Sequence, residues 1–304
     1  MKTVKKIDVH AHAVAFPELY PPFNGTEYRF LGAEELLELY DRLNIERGIL
    51  LPIAACEGMP SPITGEECAF LARRYPDRFS WFCGVDPRSG SNRPTENLSF
   101  FLNHYKSLGA LGVGELTTQL KADDPMMENF FAHAEACEMP VLLHIGIRHG
   151  GMYGVEDEIG LPRIEKILKN HPRLILIGHS QAFWAEMSSD LKEEERGGCP
   201  GGKVVGEGGL YRLMRTYPNL YCELSAGSGA NAMCRDPENA AKFIAEFSDR
   251  ILYGCDICRT DSKHPFRLDA FLTKMVEDGR ISEENYRKVV RGNALRLFKL
   301  SLDE

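Results

Sequence analysis

No apolar run in this chain approaches the roughly 20 residues that a membrane-spanning helix requires, so no membrane role is expected. Basic residues are not in excess: 36 Lys and Arg stand against 44 Asp and Glu, a net charge of −8. The longest charge cluster, Lys192 to Arg196, is mixed and mostly acidic. Nucleic acid is therefore excluded as an expected partner. The opening Met-Lys-Thr-Val-Lys-Lys-Ile-Asp lacks the apolar core of a signal peptide, and a cytoplasmic location is expected. Linkers, low-complexity tracts and internal duplications are also lacking, and 17 prolines with 26% charged residues do not describe a disordered chain. Cysteine is present nine times, at 56, 68, 83, 137, 199, 222, 234, 255 and 258, but the number is odd and the spacing scattered, which fits reduced thiols better than a disulfide framework. The single Cys255-x-x-Cys258 pair has no second pair to complete a structural zinc site and no thioredoxin-like helix pattern after it.

What is present is ample apolar material, 43% of 304 residues, arranged in short runs that alternate with amphipathic stretches. Candidate strands are Lys6–His10, Arg47–Pro52, Phe79–Val85, Leu111–Glu115, Pro140–Ile145, Leu174–Gly178, Leu220–Leu224 and Ile251–Cys255. Helical segments fall between them, and a last helix is expected from Ser282 to Leu300. Strict alternation eight times over predicts a single α/β domain spanning 1–304, a (β/α)8 TIM barrel with an extra C-terminal helix. Asp124-Pro125, Asp236-Pro237 and Ser282-Glu283-Glu284 read as helix starts, and His171-Pro172 and Tyr217-Pro218 as helix stops. His171 is given no catalytic role.

In such a barrel the C-terminal strand ends line one common mouth, where catalytic residues gather. The polar residues at those ends are His10 and His12 on the first strand, Glu115 on the fourth, His144 on the fifth, His179 on the sixth, Glu223 on the seventh and Asp256 on the eighth. His10 and His12 stand two apart, so both imidazoles face one side of their strand and can reach one cation. Imidazole and carboxylate together suit zinc or another borderline divalent ion.

The order Asp8-Val-His10-Ala-His12, Val141-Leu-Leu-His144, Ile177-Gly-His179, Tyr253-Gly-Cys-Asp256 and Gly292-Asn-Ala-Leu-Arg-Leu-Phe298 resembles the amidohydrolase superfamily. Within it, the chain is similar to the branch that includes aminocarboxymuconate semialdehyde decarboxylase, related decarboxylases and lactone hydrolases. The resemblance implies that His10, His12, His144 and Asp256 hold the principal metal and that His179 lies beside it as a proton-transfer group or electrophile. Glu115 departs from the mononuclear pattern of that branch; elsewhere in the superfamily a carboxylate at this strand end binds or bridges metals, and the sixth-strand His completes a second site. One or two ions are therefore expected, zinc first among the candidates.

Two arginines and a histidine are placed to bind an anionic small molecule: Arg148 and His149 after the fifth strand, and Arg259 just after Asp256. Pairing of these groups with rim acids is the competing reading. His264 is read as lining the mouth or capping it, His104 and His133 as surface or packing residues, and Glu223 as a brace for a neighbour. The segment 13–31 carries Phe16, Tyr20, Phe23, Tyr28 and Phe30 for an apolar pocket wall. The segment 180–209 is read as a lid, a subunit contact in a homo-oligomer or a disordered insertion. Ala226-Gly-Ser-Gly229 lacks the lysine and spacing of a phosphate loop. The expected activity is hydrolysis of a small cyclic ester, amide or related organic acid through a metal-activated water, with Asp256 as base and His179 assisting. Non-oxidative decarboxylation of an aromatic or unsaturated carboxylate is the alternative, and a barrel that binds metal without catalysis is a third reading.

Overall fold

The computed structural model describes residues 4–23, 26–55, 57, 61–150, 152–302. Eight parallel strands close into a (β/α)8 barrel: β1 (Lys6–Ala11), β2 (Ile45–Leu50), β3 (Phe79–Trp81), β4 (Val113–Leu116), β5 (Val141–Gly146), β7 (Leu176–His179), β8 (Leu220–Glu223) and β9 (Ile251–Leu252). A short additional strand, β6 (Val155–Glu156), pairs with β5 outside the ring. Two seams complete the closure. Between β3 and β4, Leu111 N donates to Trp81 O at 3.0 Å and Cys83 N to Gly112 O at 2.9 Å. Between β9 and β1, Val9 N donates to Tyr253 O at 3.0 Å and Asp256 N to His10 O at 2.7 Å.

The barrel interior is a compact apolar plug of Ile7, Val9, Ile49, Leu51, Phe82, Leu142, Ile177 and Leu252. Ala294 and Phe298 of the C-terminal helix α12 (Asn293–Phe298) seal its base, with the Phe82 and Phe298 rings 5.5 Å apart. Each such side chain contributes about 1.5–3 kcal/mol when fully buried. The base is therefore dry and closed, and chemistry is confined to the opposite end.

The surrounding helices bury one stripe each. α1 (Ala33–Leu43) hides Ala33, Leu36, Leu39, Tyr40 and Leu43, the spacing that puts side chains on one face. The helix starts form as expected: Asp124 Oδ1 accepts from Met126 N at 2.8 Å, Asp236 Oδ1 from Asn239 N at 3.2 Å and Ser282 Oγ from Asn285 N at 3.1 Å. The expected last helix is divided into α11 (Glu283–Arg287), a π-type turn at Lys288–Gly292 and α12.

Ala226-Gly-Ser-Gly229, not a phosphate loop, opens helix α8 (Ala226–Cys234), which packs against α10 (His264–Glu277) and α6 (Gln181–Ala185). Gly229 is required there, since a Cβ would lie 2.4 Å from the Leu224 backbone. The segment 180–209 is anchored by buried side chains rather than disordered. Trp184 and Met187 are buried, and the wholly buried Arg196 donates from Nη1 to Asp157 O at 3.0 Å and lies 3.5 Å from Glu186 Oε1. The described cysteines are all free, and Cys56 lies outside the described residues. No helix among the described residues is long and apolar enough to cross a membrane.

Candidate metal centre

β1 places two imidazoles at the mouth. Ile7 and Val9 belong to the interior plug, yet His10 and His12, of opposite parity, reach the same axis. The register against β2 slips between Asp8 and Ala11, and a break of this kind re-aims side chains. Asp8, fully buried, pins the turn by accepting from His10 N at 3.0 Å, Cys255 N at 2.8 Å and Tyr40 Oη at 2.7 Å.

Glu115, at the end of β4, stands in the middle of the site. Its Oε2 lies 3.3 Å from His12 Nε2 and 3.5 Å from His10 Nε2. Its Oε1 lies 2.5 Å from His144 Nδ1 and 3.7 Å from His179 Nε2. Asp256 faces the first group, with Oδ1 3.5 Å from His12 Nε2 and 3.6 Å from His10 Nε2, while Oδ2 is 4.0 Å from His179 Nε2. It holds this position with a left-handed backbone (φ 53°), a conformation costly for a residue with a Cβ and common at functional sites. The strand-end residues His10, His12, Glu115, His144, His179 and Asp256 therefore converge. The geometry groups them differently from the resemblance, however: His144 sits with His179 on one Glu115 oxygen, and His10 and His12 lie at the other, with Asp256 facing that histidine pair. Glu115 is paired with imidazoles, not with an arginine.

Whether these residues fit a metal is decided by the ring tautomers. His12 Nδ1 faces Leu51 O at 2.9 Å, an obligate acceptor, so it carries the hydrogen and leaves Nε2 bare in the neutral ring. His10 Nδ1 faces Glu223 Oε1 at 3.1 Å, with the same consequence. The two Nε2 atoms are nevertheless 3.0 Å apart. With both rings neutral two lone pairs would face each other at that distance beside two carboxylates, so the site calls for a proton on His10 when empty and a metal cation in its place when loaded. Zinc bond lengths of about 2.0–2.2 Å to nitrogen and oxygen put neighbouring tetrahedral donors roughly 3.4 Å apart, and the separations of His10 and His12 from Glu115 Oε2 and Asp256 Oδ1, between 3.3 and 3.6 Å, match. The donor set fits a divalent cation.

Glu223, wholly buried at the end of β8, ties the two halves together. Its Oε1 contacts both His10 Nδ1 and His179 Nδ1 and accepts from Ser225 Oγ at 2.8 Å, while Oε2 accepts from Ser225 N at 2.6 Å. One carboxylate thus holds two rings with Nε2 turned inward, the outer-sphere support that histidine ligands commonly have. Glu223→Gln is expected to weaken metal affinity by about 10- to 100-fold with the fold intact. Competition with a chelator checks this; an unchanged affinity contradicts the role.

Charge inside the metal-free site is strongly coupled. Burial opposes protonation of His10, but Asp256 and Glu115 outweigh it and raise His10 well above the ordinary 6.5. Burial also opposes ionisation of Glu115 and Glu223, and the histidines overcome it, holding both below the ordinary 4.5. For His144 burial dominates and lowers its value. Burial pushes Asp8 up to about 6. A raised His10 stabilises the fold below pH 6.5 and loses that contribution as pH climbs through its folded value; Asp8 acts in the same direction through about 6. Glu115 and Glu223 stabilise above 4.5 and are lost in acid. A bound cation needs the bare His10 nitrogen, so its affinity rises with pH. Metal-free protein is expected to lose thermal stability above pH 6.5 as His10 gives up its proton, the Asp8 contribution being already lost by about pH 6, and the rise in Tm on adding zinc is expected to grow above 6.5. A zinc-induced rise that shrinks with pH contradicts this assignment.

The remaining sequence candidates lie further out. Arg148 and His149 are exposed, the His149 side chain at 78%, with its Nδ1 3.4 Å from Glu156 Oε1. The loop after β5 leaves both in solvent, away from the metal-ligating cluster. Arg259 is at the mouth, stacked 4.6 Å over the Tyr28 ring and bound by both arms to Asp261 at 3.0 Å. It lines a cavity of about 820 Å3 together with Asp256, Cys258, Lys263, His264 and Phe23. His264 both lines this cavity and caps, its Nε2 2.6 Å from Cys255 O. His133 packs against Ser99 Oγ at 2.7 Å, and His171 lies between Glu128 and Glu135. Sequence reasoning missed Tyr153, whose ring lies 4.4 Å from that of His144 and whose hydroxyl is raised by burial and by Glu115 and Asp256. It also missed Cys258, although the Cys-x-x-Cys pattern marked the position.

The family model described as amidohydrolase matches residues 7–300, and the chain belongs to that family. No curated protein matched the chain. Among solved structures it is similar to a probable 2-pyrone-4,6-dicarboxylic acid hydrolase from Acinetobacter baumannii with citric acid bound, at 14% identity and TM-score 0.60 over 98% of this chain and 100% of that one. A dihydroxybenzoic acid decarboxylase from Polaromonas with bound manganese and 2-nitroresorcinol aligns at 17% identity and TM-score 0.61, covering 99% and 98% of the two chains. A 5-carboxyvanillate decarboxylase from Sphingomonas paucimobilis aligns at 15% identity and TM-score 0.59, covering 98% and 100%. At these identities the likeness establishes the shared barrel.

Proposed function

We propose that this amidohydrolase-family enzyme hydrolyses a small anionic cyclic ester or amide with the help of one or two divalent ions, zinc being the ion its donors suit best. The observation that carries the reading is the meeting of bare imidazole nitrogens with the two oxygens of Glu115 at the barrel mouth. His10, His12, Asp256 and Glu115 Oε2 would hold one ion; His144, His179 and Glu115 Oε1 would face a second. A cation bound there supplies Lewis acidity and an acidified water. Asp256, the one partly exposed member at 21%, opens onto the cavity, so its carboxylate accepts the proton of the attacking water. With one ion bound, His179, steadied by Glu223 through Nδ1, shares a proton with the leaving oxygen or nitrogen through Nε2; with a second ion, that Nε2 would be a ligand instead. Lys263 on the cavity wall, and Arg259 if it exchanges its Asp261 partner for a ligand, would meet a carboxylate-bearing substrate, and Phe23 adds apolar surface.

Decarboxylation is the second reading, favoured by solved relatives described as aromatic acid decarboxylases. A panel of lactones, cyclic amides and aromatic carboxylates, assayed for acid release and carbon dioxide together, separates the two. Ring opening without carbon dioxide is the expected result. Carbon dioxide in step with substrate loss overturns hydrolysis in favour of decarboxylation, and no turnover across the panel by metal-loaded protein favours a barrel that binds without catalysing.

A further inference from the structure

Cys258 lies two residues beyond Asp256, in the loop that leaves β9 for α10, and neither role in the proposed reaction uses it. Its Sγ lies 3.3 Å from Asp256 Oδ1. That sulfur, a His12 nitrogen and an Asp256 oxygen all lie within 4.8 Å of one another. The contact is not an isolated thiol beside an acid. His12 is 1% exposed, its Nδ1 is committed to Leu51 O, and its bare Nε2 looks toward Asp256 and Glu115. That nitrogen, which otherwise meets only His10 Nε2 at 3.0 Å, the Asp256 carboxylate and the Cys258 sulfur bring three metal-ligating atoms to one place, and the sulfur stands at its edge.

We infer that Cys258 is a further, soft donor to the ion held by His12 and Asp256. Zinc–sulfur bonds of about 2.3 Å and zinc–oxygen bonds of about 2.1 Å put adjacent donors roughly 3.6 Å apart, close to the observed separation of sulfur and carboxylate oxygen. Coordination releases the thiol proton to solvent and leaves a thiolate on the metal. The sulfur biases the site toward zinc, cobalt or another thiophilic ion and away from the hard ions that oxygen-only sets select. Cys258 also lines the large cavity beside Asp256, so it sits on the side from which substrate arrives. Cys255, three residues earlier, is wholly buried and absent from the donor groups found among the described residues.

This inference rests on the proposed metal site, and cobalt substitution tests the two separately. The full chain is stripped of metal, reloaded with Co2+, and its cobalt content and near-ultraviolet spectrum are measured for wild type, Cys258→Ser and Cys199→Ser, the last altering an exposed thiol as a control. The expected result is a sulfur-to-cobalt charge-transfer absorption in wild type and Cys199→Ser that is lost in Cys258→Ser. Wild type that binds cobalt without this absorption, or a band that survives in Cys258→Ser, overturns the inference and leaves the metal site standing. Wild type that binds no cobalt overturns both. Should Cys258→Ser fail to fold, alkylation decides: bound zinc should protect Cys258 of the wild-type protein from iodoacetamide, and equal labelling with and without zinc overturns the assignment.

Discussion

Asp256→Asn is expected to reduce kcat by about 10^2- to 10^4-fold, the range associated with losing a positioned general base, while the protein keeps its metal. The amide retains an oxygen that can stay near the ion, but it cannot take a proton from water. The position favours this reading over a purely structural one. Asp256 is the member of the cluster that meets the cavity, and its backbone nitrogen is already fixed to His10 O at 2.7 Å, so the loop geometry does not depend on the carboxylate. Metal content measured on each variant separates lost chemistry from lost cofactor. A metal-loaded Asp256→Asn enzyme with wild-type kcat would transfer the base role to His179 or Glu115.

The second large effect concerns binding. His10→Ala/His12→Ala removes two nitrogens from one subsite and is expected to abolish tight metal uptake. A ligand at 100 times its Kd stabilises the folded state by about 2.7 kcal/mol, which for a chain of this size raises Tm by roughly 5 °C or more. Wild type should show that rise on adding zinc, and the double variant should not. Removing the imidazoles also leaves Glu115, Glu223 and Asp256 close together without their counter-charges, so the variant should be destabilised even without metal. Thermal unfolding with and without zinc checks both; an equal zinc-induced shift in the two proteins contradicts the ligand assignment.

Much of this arrangement was legible in the sequence because barrel geometry converts position along the chain into position in space. A polar residue at the C-terminal end of an apolar run must lie at the mouth, so His10, His12, Glu115, His144, His179 and Asp256 could be named before any distance was known. How they divide among themselves could not. That Glu115 turns one oxygen to His144 and the other to His12 depends on the slip in β1 and on the aim of β4, which no periodicity encodes. Loop residues were harder still. Arg148 and His149 were plausible from chemistry and adjacency, but the chain after β5 turns them to solvent, whereas Tyr153, a few residues on, returns to His144. Cys258 was visible only as half of a Cys-x-x-Cys pattern whose usual meanings did not apply. Helix α8 was not foreseen, since its glycine-rich start was weighed only against a phosphate loop; Gly229 is there to let the helix approach the Leu224 backbone.

The central claim is that the mouth of the barrel is a metal centre, and elemental analysis of the purified wild-type chain, grown in supplemented medium and dialysed free of loose ions, tests it most directly. At least one divalent ion per chain is predicted, with a second consistent with the two-sided pairing of Glu115. Near-zero metal, no different from His10→Ala/His12→Ala protein prepared in parallel, would contradict it.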